Sequence, residues 1–389
     1  MKKAGSDPEL NIVSFDVPCP PDYGGAIDIY YKLETLNDLG IKIYLHCFQY
    51  GRSDSKRLEE ICVETFYYPR KRNFIPLFSQ KPYIVETRFS SELLENLLKN
   101  DAPILFEGLH STYWAENPKL KDRIKILRAH NIEHDYYQEL SKVELNRLKK
   151  WYLKLECWKL KAYEKKLCNF NLISAISETD FTYFASKHEN VVYTPIFHGF
   201  TENSTIKLEE FALYHGNLGV PENENAACFL INEIFSNLNF PFIIAGKNPN
   251  RRIRNLIGRY SNISLIDSPS IEKMERLISQ AKIHVLPTFQ STGMKLKLIH
   301  VLFTKGTVII NSNMITDSEL KNCCIIADTA EEMKNSVVKS FTEPVKDEVL
   351  ELRKILLDQK FSNEENAREL IKNIFDFLPQ ILKKRYHIY

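Results

Sequence analysis

Short apolar runs of strand length alternate with helical segments along the whole sequence, and this pattern leaves few folds open. Asn11 to Val17 reads as a strand, Ala26 to Leu39 as a helix stopped by Gly40, and Ile41 to Phe48 as a second strand. Helix Ser91 to Lys99 and strands Pro103 to Glu107 and Ile124 to Ala129 continue the series. A long helical stretch from Asp135 to Asn169 then precedes strand Asn171 to Ile176 and a helix opened by Ser177. Such alternation implies parallel strands joined by crossover helices, a doubly wound α/β sheet. Between Thr194 and Glu209 the pattern lapses into a polar stretch with proline and glycine, and then it restarts. Strands begin at Phe211, Pro241, Ile263, Lys282, Thr307 and Cys323, and helices at Asn223, Asn250, Ile271, Ala330 and Asp347. The expectation is two Rossmann-like domains, 1–200 and 201–389, facing across a cleft, with the last helix free to pack back on the first. Ligands of open α/β sheets bind at strand carboxyl ends, so those ends are where function is sought.

Composition excludes several classes. A chain of 389 residues that is 44% hydrophobic and 26% charged has the make-up of a globular protein with room for two cores. Its formal net charge of +2 gives no global basic excess of the kind nucleic-acid binding needs. No apolar run approaches the roughly 20 residues that span a bilayer, and no apolar signal segment precedes Asn11, so a cytoplasmic location is expected and the first ten residues are read as a disordered lead. None of the eight cysteines lies in a C-x-x-C spacing, which favours reduced, buried, structural thiols over zinc or redox chemistry.

The richest stretch is Pro287 to Met314, an apolar strand end, a polar loop and a helix expected to open at Gly293 with Lys295 and Lys297 in its first turns. A helix N-terminus offers unpaired N–H groups and a partial positive charge, and two lysines add to it, which suits a diphosphate. Gly24-Gly25 sits between the first strand and the first helix, where glycine lets backbone approach a ligand; for an isolated pair a plain strand-to-helix turn is the favoured reading. Two further strand ends, Tyr214-His215-Gly216-Asn217 and Ala245-Gly246-Lys247-Asn248, each combine glycine with polar residues. His130-Asn131-Ile132-Glu133-His134 matches the H-x-x-E-H zinc motif. His130 ends a strand, however, and Asn131 reads as a helix N-cap, so the two histidines are not expected to share a helix face. His130 is better placed to hydrogen-bond a substrate. Helix Arg147 to Leu167 is strongly basic and carries Trp151, Leu155, Trp158 and Ala162 at helical spacing. The plainer reading packs that stripe on the sheet and leaves a solvated basic face; the sharper one is a surface for anionic lipid headgroups beside a lipid-linked acceptor.

Taken in order, PPDYGGAIDIYYKL, AHNIE, LISAISETD, YHGNLGVPENENAACFL, FIIAGKNPN and TGMKLKLIHVLFTKGTVII resemble the GT-B glycosyltransferases of the large retaining family numbered four, over nearly the whole chain. The resemblance implies that Gly24 and Gly25 face the donor diphosphate and that His130 sits beside the transferred sugar. It places Gly216, Asn217 and Lys247 near the phosphates or sugar. Lys295 or Lys297 would neutralise the leaving diphosphate, with Gly293 and Met294 in the same loop, and Ser268 would lie in a loop near the base. The family's Glu-x7-Glu pair, whose first member generally contacts the donor sugar and whose second contacts the ribose, falls here at Thr292 and His300. Neither supplies a fixed negative charge.

The implied activity is transfer of a sugar from a nucleoside-diphosphate sugar to a glycan or lipid-linked acceptor hydroxyl. Retention, no cofactor and no metal are expected, along with peripheral contact with anionic membrane on the inner face of the plasma membrane and no nucleic-acid partner. The chain contains no D-x-D, which fits phosphates held by lysines and N–H groups. A catalytically inactive nucleotide-sugar-binding protein, a zinc hydrolase using HNIEH and a sugar-nucleotide epimerase are the alternatives.

Overall fold

The structure is a computed structural model that describes residues 8–71, 79–144, 146–202, 206–290 and 295–377. The chain forms two compact units, one running to Gly199 and including the stretch from Lys360 onward, the other lying between Phe200 and Gln359.

In chain order the first unit contains β1 (Glu9–Ser14), α1 (Gly24–Asp38), β2 (Lys42–Gln49), α2 (Lys56–Ile61), β3 (Glu64–Pro69), α3 (Tyr83–Glu86), α4 (Ser91–Leu97), β4 (Ile104–Glu107) and β5 (Lys125–Ala129). It continues with α5 (Glu133–Val143), α6 (Arg147–Tyr163), β6 (Leu172–Ala175), α7 (Glu178–Ala185) and β7 (Val191–Tyr193). All seven strands are parallel, in the order β3-β2-β1-β4-β5-β6-β7. Successive strand residues face opposite sides of a sheet, and the two apolar layers follow that alternation. Ile12, Ile43, Leu45, Leu105 and Ile126 pack on the α1 side, whereas Val13, Phe48, Ile104, Phe106 and Leu127 pack on the other.

The second unit contains β8 (Glu209–His215), α8 (Pro221–Phe229), β9 (Phe242–Gly246), α9 (Arg251–Ile257), β10 (Ile263–Asp267), α10 (Ile271–Gln280), β11 (Ala281–Val285), α11 (Leu296–Leu302), β12 (Thr307–Ile310), β13 (Ile325–Ile326), α12 (Ala330–Thr342) and α13 (Asp347–Lys360). Its strands are again all parallel, ordered β10-β9-β8-β11-β12-β13. The last helix, α14 (Asn363–Phe375), belongs to the first unit, where Ala367, Leu370, Ile374 and Phe375 join the α1-side core.

Several sequence expectations change. The long helix is a hairpin: α5 ends at Val143, and Asn146 caps a new helix by accepting from the N–H groups of Leu148 and Lys149. Asn131 is not an N-cap, because α5 begins at Glu133 with Ile132 in the capping position and no side-chain cap. The stripe on α6 does not pack on the sheet. Trp151 and Trp158 are 67% and 68% exposed, while Leu153, Glu156, Lys159, Leu160 and Tyr163 form the buried face. All eight cysteines are free, but only Cys47, Cys62, Cys228 and Cys323 are buried; Cys168 is exposed. No helix among the described residues is long and apolar enough to cross a membrane.

Candidate functional site

In each sheet the chain order reverses at one point, between β1 and β4 in the first unit and between β8 and β11 in the second. Crossover connections leave on opposite faces there, opening a crevice at the strand carboxyl ends. Most of the sequence-derived candidates lie at or beside these two places.

In the first unit, Glu107 continues the face of Leu105, and Arg128 and His130 continue that of Ile126, so all three point toward α1. From α1, Asp28 and Lys32 meet them at helical i,i+4 spacing. Lys32 Nζ lies 3.1 Å from Asp28 Oδ2 and 2.7 Å from Glu107 Oε1. Arg128 donates to both oxygens of Asp28 at 2.8 and 3.2 Å, to the Ser174 hydroxyl at 3.0 Å and to the Pro195 carbonyl at 2.9 Å. The backbone N–H of Phe197 also donates to Asp28 Oδ1, at 2.9 Å. Burial alone would raise the Asp28 carboxyl, but Arg128 and Lys32 outweigh it and hold it well below its ordinary range. For Glu107 burial is likewise outweighed by Lys32 and by His130, which sits with Nε2 3.0 Å from Oε2. With Glu107 ionised, Nε2 of His130 carries the proton and donates it. Four buried charges thus cancel in pairs, with one histidine beside them whose side chain is 9% exposed.

Asp28, Glu107 and His130 are close enough together to suggest a cation site. Every one of their carboxylate oxygens is already engaged by an ammonium, a guanidinium, a backbone N–H or the imidazole. The zinc reading of HNIEH fails on geometry as well. His134 lies on α5 with Nε2 2.7 Å from the Tyr183 hydroxyl and 3.0 Å from Glu164, in a different network from His130. Burial pushes Glu133 up to about 8, against the opposing hydrogen bond from Asn131, so this carboxyl is mostly protonated at neutral pH.

Gly25 has a structural reason to be glycine. A Cβ there would stand 2.6 Å from the Phe15 ring, which in turn packs edge-on against His130 at 5.4 Å. A Cβ on Gly24 would meet nothing within 4 Å, so of the pair Gly24 is the one open to a ligand.

In the second unit the ends of β8, β9 and β10 interlock. Leu218 N donates to Lys247 O at 2.8 Å and Ser268 N to Gly246 O at 2.8 Å, with Asn248 and Ser268 both at positive φ, 57° and 47°. Gly246 has to be glycine, since a Cβ would collide with the Gly216 carbonyl. Asn217 Oδ1 accepts from Gly219 N at 3.1 Å, and Asn217 and Lys247 are exposed. Ser268 donates to Asp267 at 2.7 Å.

Beyond β11 the described chain resumes at Lys295, which caps the seven-residue α11. The expected helix start at Gly293, together with Thr292 and Met294, lies outside the described residues. Lys295 is 8% exposed, with Nζ 3.4 Å from Glu222 Oε1, and Thr288 Oγ1 donates to the same carboxylate oxygen. Lys297 donates to Asn223 Oδ1 at 2.6 Å and lies 5.1 Å above the Tyr214 ring. Burial lowers both ammoniums against the pull of Glu222, Lys297 to about 8. His215, buried beside them, has an Nδ1 with no partner among the described residues. Burial, with the neighbouring His300 and Lys297 charges, keeps it neutral. His300 stacks on Phe200 at 4.0 Å, with Nε2 3.0 Å from Glu275 Oε2.

Sequence reasoning missed Asp28, Lys32, Glu107, Glu222 and Asn223. The signals were there: a charged pair four apart on an apolar helix, an acid closing the strand ILFE, and an acid and an amide opening the helix after Gly216-Asn217.

No protein-family model matches the sequence. An uncharacterized 44.6 kDa protein in the cps region of Klebsiella pneumoniae is 27% identical over 327 residues, covering 79% of this chain and 83% of that one. Among solved structures, a glycosyltransferase from Rickettsia africae superimposes with a TM-score of 0.65 at 13% identity, covering 99% of this chain and 100% of that one. A trehalose-6-phosphate protein of E. coli bound with UDP-2-fluoro glucose gives 0.63 at 11%, covering 95% and 100%. S. aureus TarM in complex with UDP gives 0.61 at 11%, covering 94% and 99%. The fold of this chain is that of the GT-B glycosyltransferases.

Proposed function

We propose that the chain is a glycosyltransferase that moves a sugar from a nucleoside-diphosphate donor to the hydroxyl of a glycan or lipid-linked acceptor, with retention and without a metal, in peripheral contact with an anionic membrane. The observation that carries this reading is the placement of Lys295 and Lys297, one buried and one partly buried, beside the switch point of the second sheet. Expelling a nucleoside diphosphate from an anomeric carbon builds negative charge on the departing oxygen, and preorganised ammonium groups in a desolvated place stabilise it. His215, neutral and with an open nitrogen, supplies a further polar contact on the same side. In the retaining course a departing phosphate oxygen takes the acceptor proton on the face it leaves, so no protein base is required. In this reading His130 serves a substrate hydroxyl, oriented from behind by Glu107. The nucleotide ligands of the solved neighbours and the cps-region placement of the Klebsiella relative support a nucleotide-sugar donor and a polysaccharide product.

Thermal-shift screening against nucleoside diphosphates and their sugars tests the reading. A ligand present at 100 times its dissociation constant stabilises by ~2.7 kcal/mol, and Lys295→Ala combined with Lys297→Ala should abolish that shift in a variant that still folds, as judged by its far-ultraviolet dichroism. A double variant that binds diphosphate as the parent does would place the site elsewhere. A nucleotide-sugar-binding protein without catalysis is the second reading, motivated by His300, which brings no carboxylate and is held by Phe200 and Glu275. Donor hydrolysis or sugar transfer by the purified chain would exclude it.

A further inference from the structure

The outward side of α6 is apolar where solvent should favour polar groups. Trp151 and Trp158 are 67% and 68% exposed and Leu148 is 81% exposed. Residues seven apart fall nearly in line on a helix, and three such rows run side by side along the exposed side: Leu148, Leu155 and Ala162; Trp151 and Trp158; Arg147, Lys154 and Lys161. An apolar strip dominated by two indoles therefore lies against a basic strip, along a helix of roughly 25 Å. The one acid of α6, Glu156, is on the other side, buried with Lys159. Glu144, just ahead of the helix, is taken by Lys149. Arg147, Lys154, Lys161 and Lys165 have no carboxylate partner among the described residues.

The inner side explains why the helix holds this orientation without help from the tryptophans. Leu153, Leu160 and Tyr163 are buried, Tyr163 accepting or sharing a hydrogen bond with Thr112 at 3.2 Å, and Glu156 accepts from Tyr83 N at 2.6 Å. The fold thus has no structural use for Trp151 and Trp158. Two large aromatic side chains left in water beside unpaired cations mark a surface meant to be covered.

We propose that this face of α6 docks the protein on a bilayer that contains anionic lipid, with the indoles at headgroup depth and the basic row against lipid phosphates. The charge on the face decides the occupant. An indole is favoured at the membrane interface, where its ring is in apolar surroundings and its N–H stays wet, and lysines and arginines there are drawn to a negatively charged leaflet. A second copy of the chain would set one basic row against another and is disfavoured by like-charge repulsion. This inference rests on the lipid-linked-acceptor reading for its biological sense, but binding itself needs neither donor nor catalysis.

Co-sedimentation of the full chain with vesicles tests it, comparing phosphatidylcholine alone with an equimolar mixture of phosphatidylcholine and phosphatidylglycerol. The expected results are partition onto the mixed vesicles that is on the order of tenfold or more tighter than onto the neutral ones, weakening with salt, and a blue shift of tryptophan emission. Two of the three tryptophans lie on the face, and the third, Trp114, is held by a bond to Ser90 O at 2.7 Å. Trp151→Ser with Trp158→Ser, and separately Lys154→Glu with Lys161→Glu, should each reduce binding on the order of tenfold. Because these side chains are exposed, diphosphate binding and melting temperature should not change. Equal binding to both vesicles, no binding, or variants that bind as the parent does would overturn the proposal, as would a dimer in solution that the tryptophan variant converts to monomer. Vesicle binding by a protein that turns over no nucleotide sugar would remove the catalytic reading and leave this one standing.

Discussion

At the scale of single residues, the buried charges of the first unit and the lysines of the second make opposite predictions. Glu107 and Asp28 together balance Lys32 and Arg128 in the interior, so Glu107→Gln leaves that buried cluster with one positive charge in excess; breaking a buried charge balance of this kind costs on the order of 3 kcal/mol. A loss of that size in the unfolding free energy from urea titration is expected, and an unchanged value would mean that the cluster does not rely on the Glu107 charge. Lys297, by contrast, is a binding group whose charge is unsettled. With its ammonium pushed down to about 8, the free protein loses that proton as pH rises past 8, while a bound diphosphate favours the charged form and raises the value. Diphosphate affinity should therefore be level below about pH 8 and fall above it, with proton uptake on binding at high pH seen by calorimetry in buffers of different ionisation enthalpy. Lys297→Arg, always charged, should flatten that limb. What the sequence withheld at this scale was the partnership: His130 was visible as a polar strand end, but its convergence with Glu107 and Arg128 on Asp28 and Lys32 depends on which side of the sheet α1 covers.

At the scale of elements, most strands and helices were legible because each carried its own signal. Ser177 with Asp180 three residues on marks the start of α7, and the Ser177 hydroxyl does accept from Asp180 N at 3.0 Å. Gly40 ends α1 at φ +81°, a conformation that favours glycine. The start of α6 at Arg147 agrees with the helix read there, but the turn before it was absorbed into one long helical stretch although Asn146, a good capping residue, stood inside the run. On α6 the period was correct and the side was not. Both sides of that helix carry apolar residues, and periodicity alone does not say which meets the sheet when a buried Glu156–Lys159 pair dilutes the true core side. The glycine pair before α1 gives a sharper test of element against ligand. Gly25→Ala forces the Phe15 ring to move and should lower the melting temperature, at a cost of roughly 1–3 kcal/mol. Gly24→Ala meets open space at the first helical position and should leave stability unchanged or raise it by about 0.5 kcal/mol. If Gly24 faces the donor, its variant loses diphosphate affinity while keeping its stability; unchanged affinity would confine the pair to a turn.

At the scale of the whole molecule, the two units carry different buried titratable groups, and this was not readable from the sequence because burial decides it. In the second unit the buried groups that titrate between the unfolded and folded states on the acid side are histidines. Burial holds His284 down to about 3 and keeps His215 well below its ordinary 6.5. As pH falls below 6.5 the unfolded chain takes up protons that the folded unit refuses, so stability is lost at about 1.4 kcal/mol per pH unit for each proton. The first unit has His46, held by burial down to about 3, and His110, lowered in the same direction. It also has two acids that act the other way: burial raises Glu133 to about 8 and Asp180 to about 6. These acids keep their protons when the unfolded chain has released its own, so their contribution is full below the unfolded value near 4 and is lost as pH climbs through 6 and 8. Between pH 7 and pH 5 they offset most of what the histidines of the first unit forfeit, and no acid with a raised value protects the second among its described residues. All three tryptophans, Trp114, Trp151 and Trp158, lie in the first unit, so their emission follows that unit alone, while far-ultraviolet dichroism follows both. Urea titrations should therefore show the dichroism midpoint falling further than the fluorescence midpoint on acidification from pH 7 to pH 5. Glu133→Gln should remove the decline of the fluorescence midpoint above pH 7 without altering the acid behaviour of the second unit. Midpoints that coincide at both pH values, or a fluorescence midpoint that falls further, would refute this assignment of the buried groups.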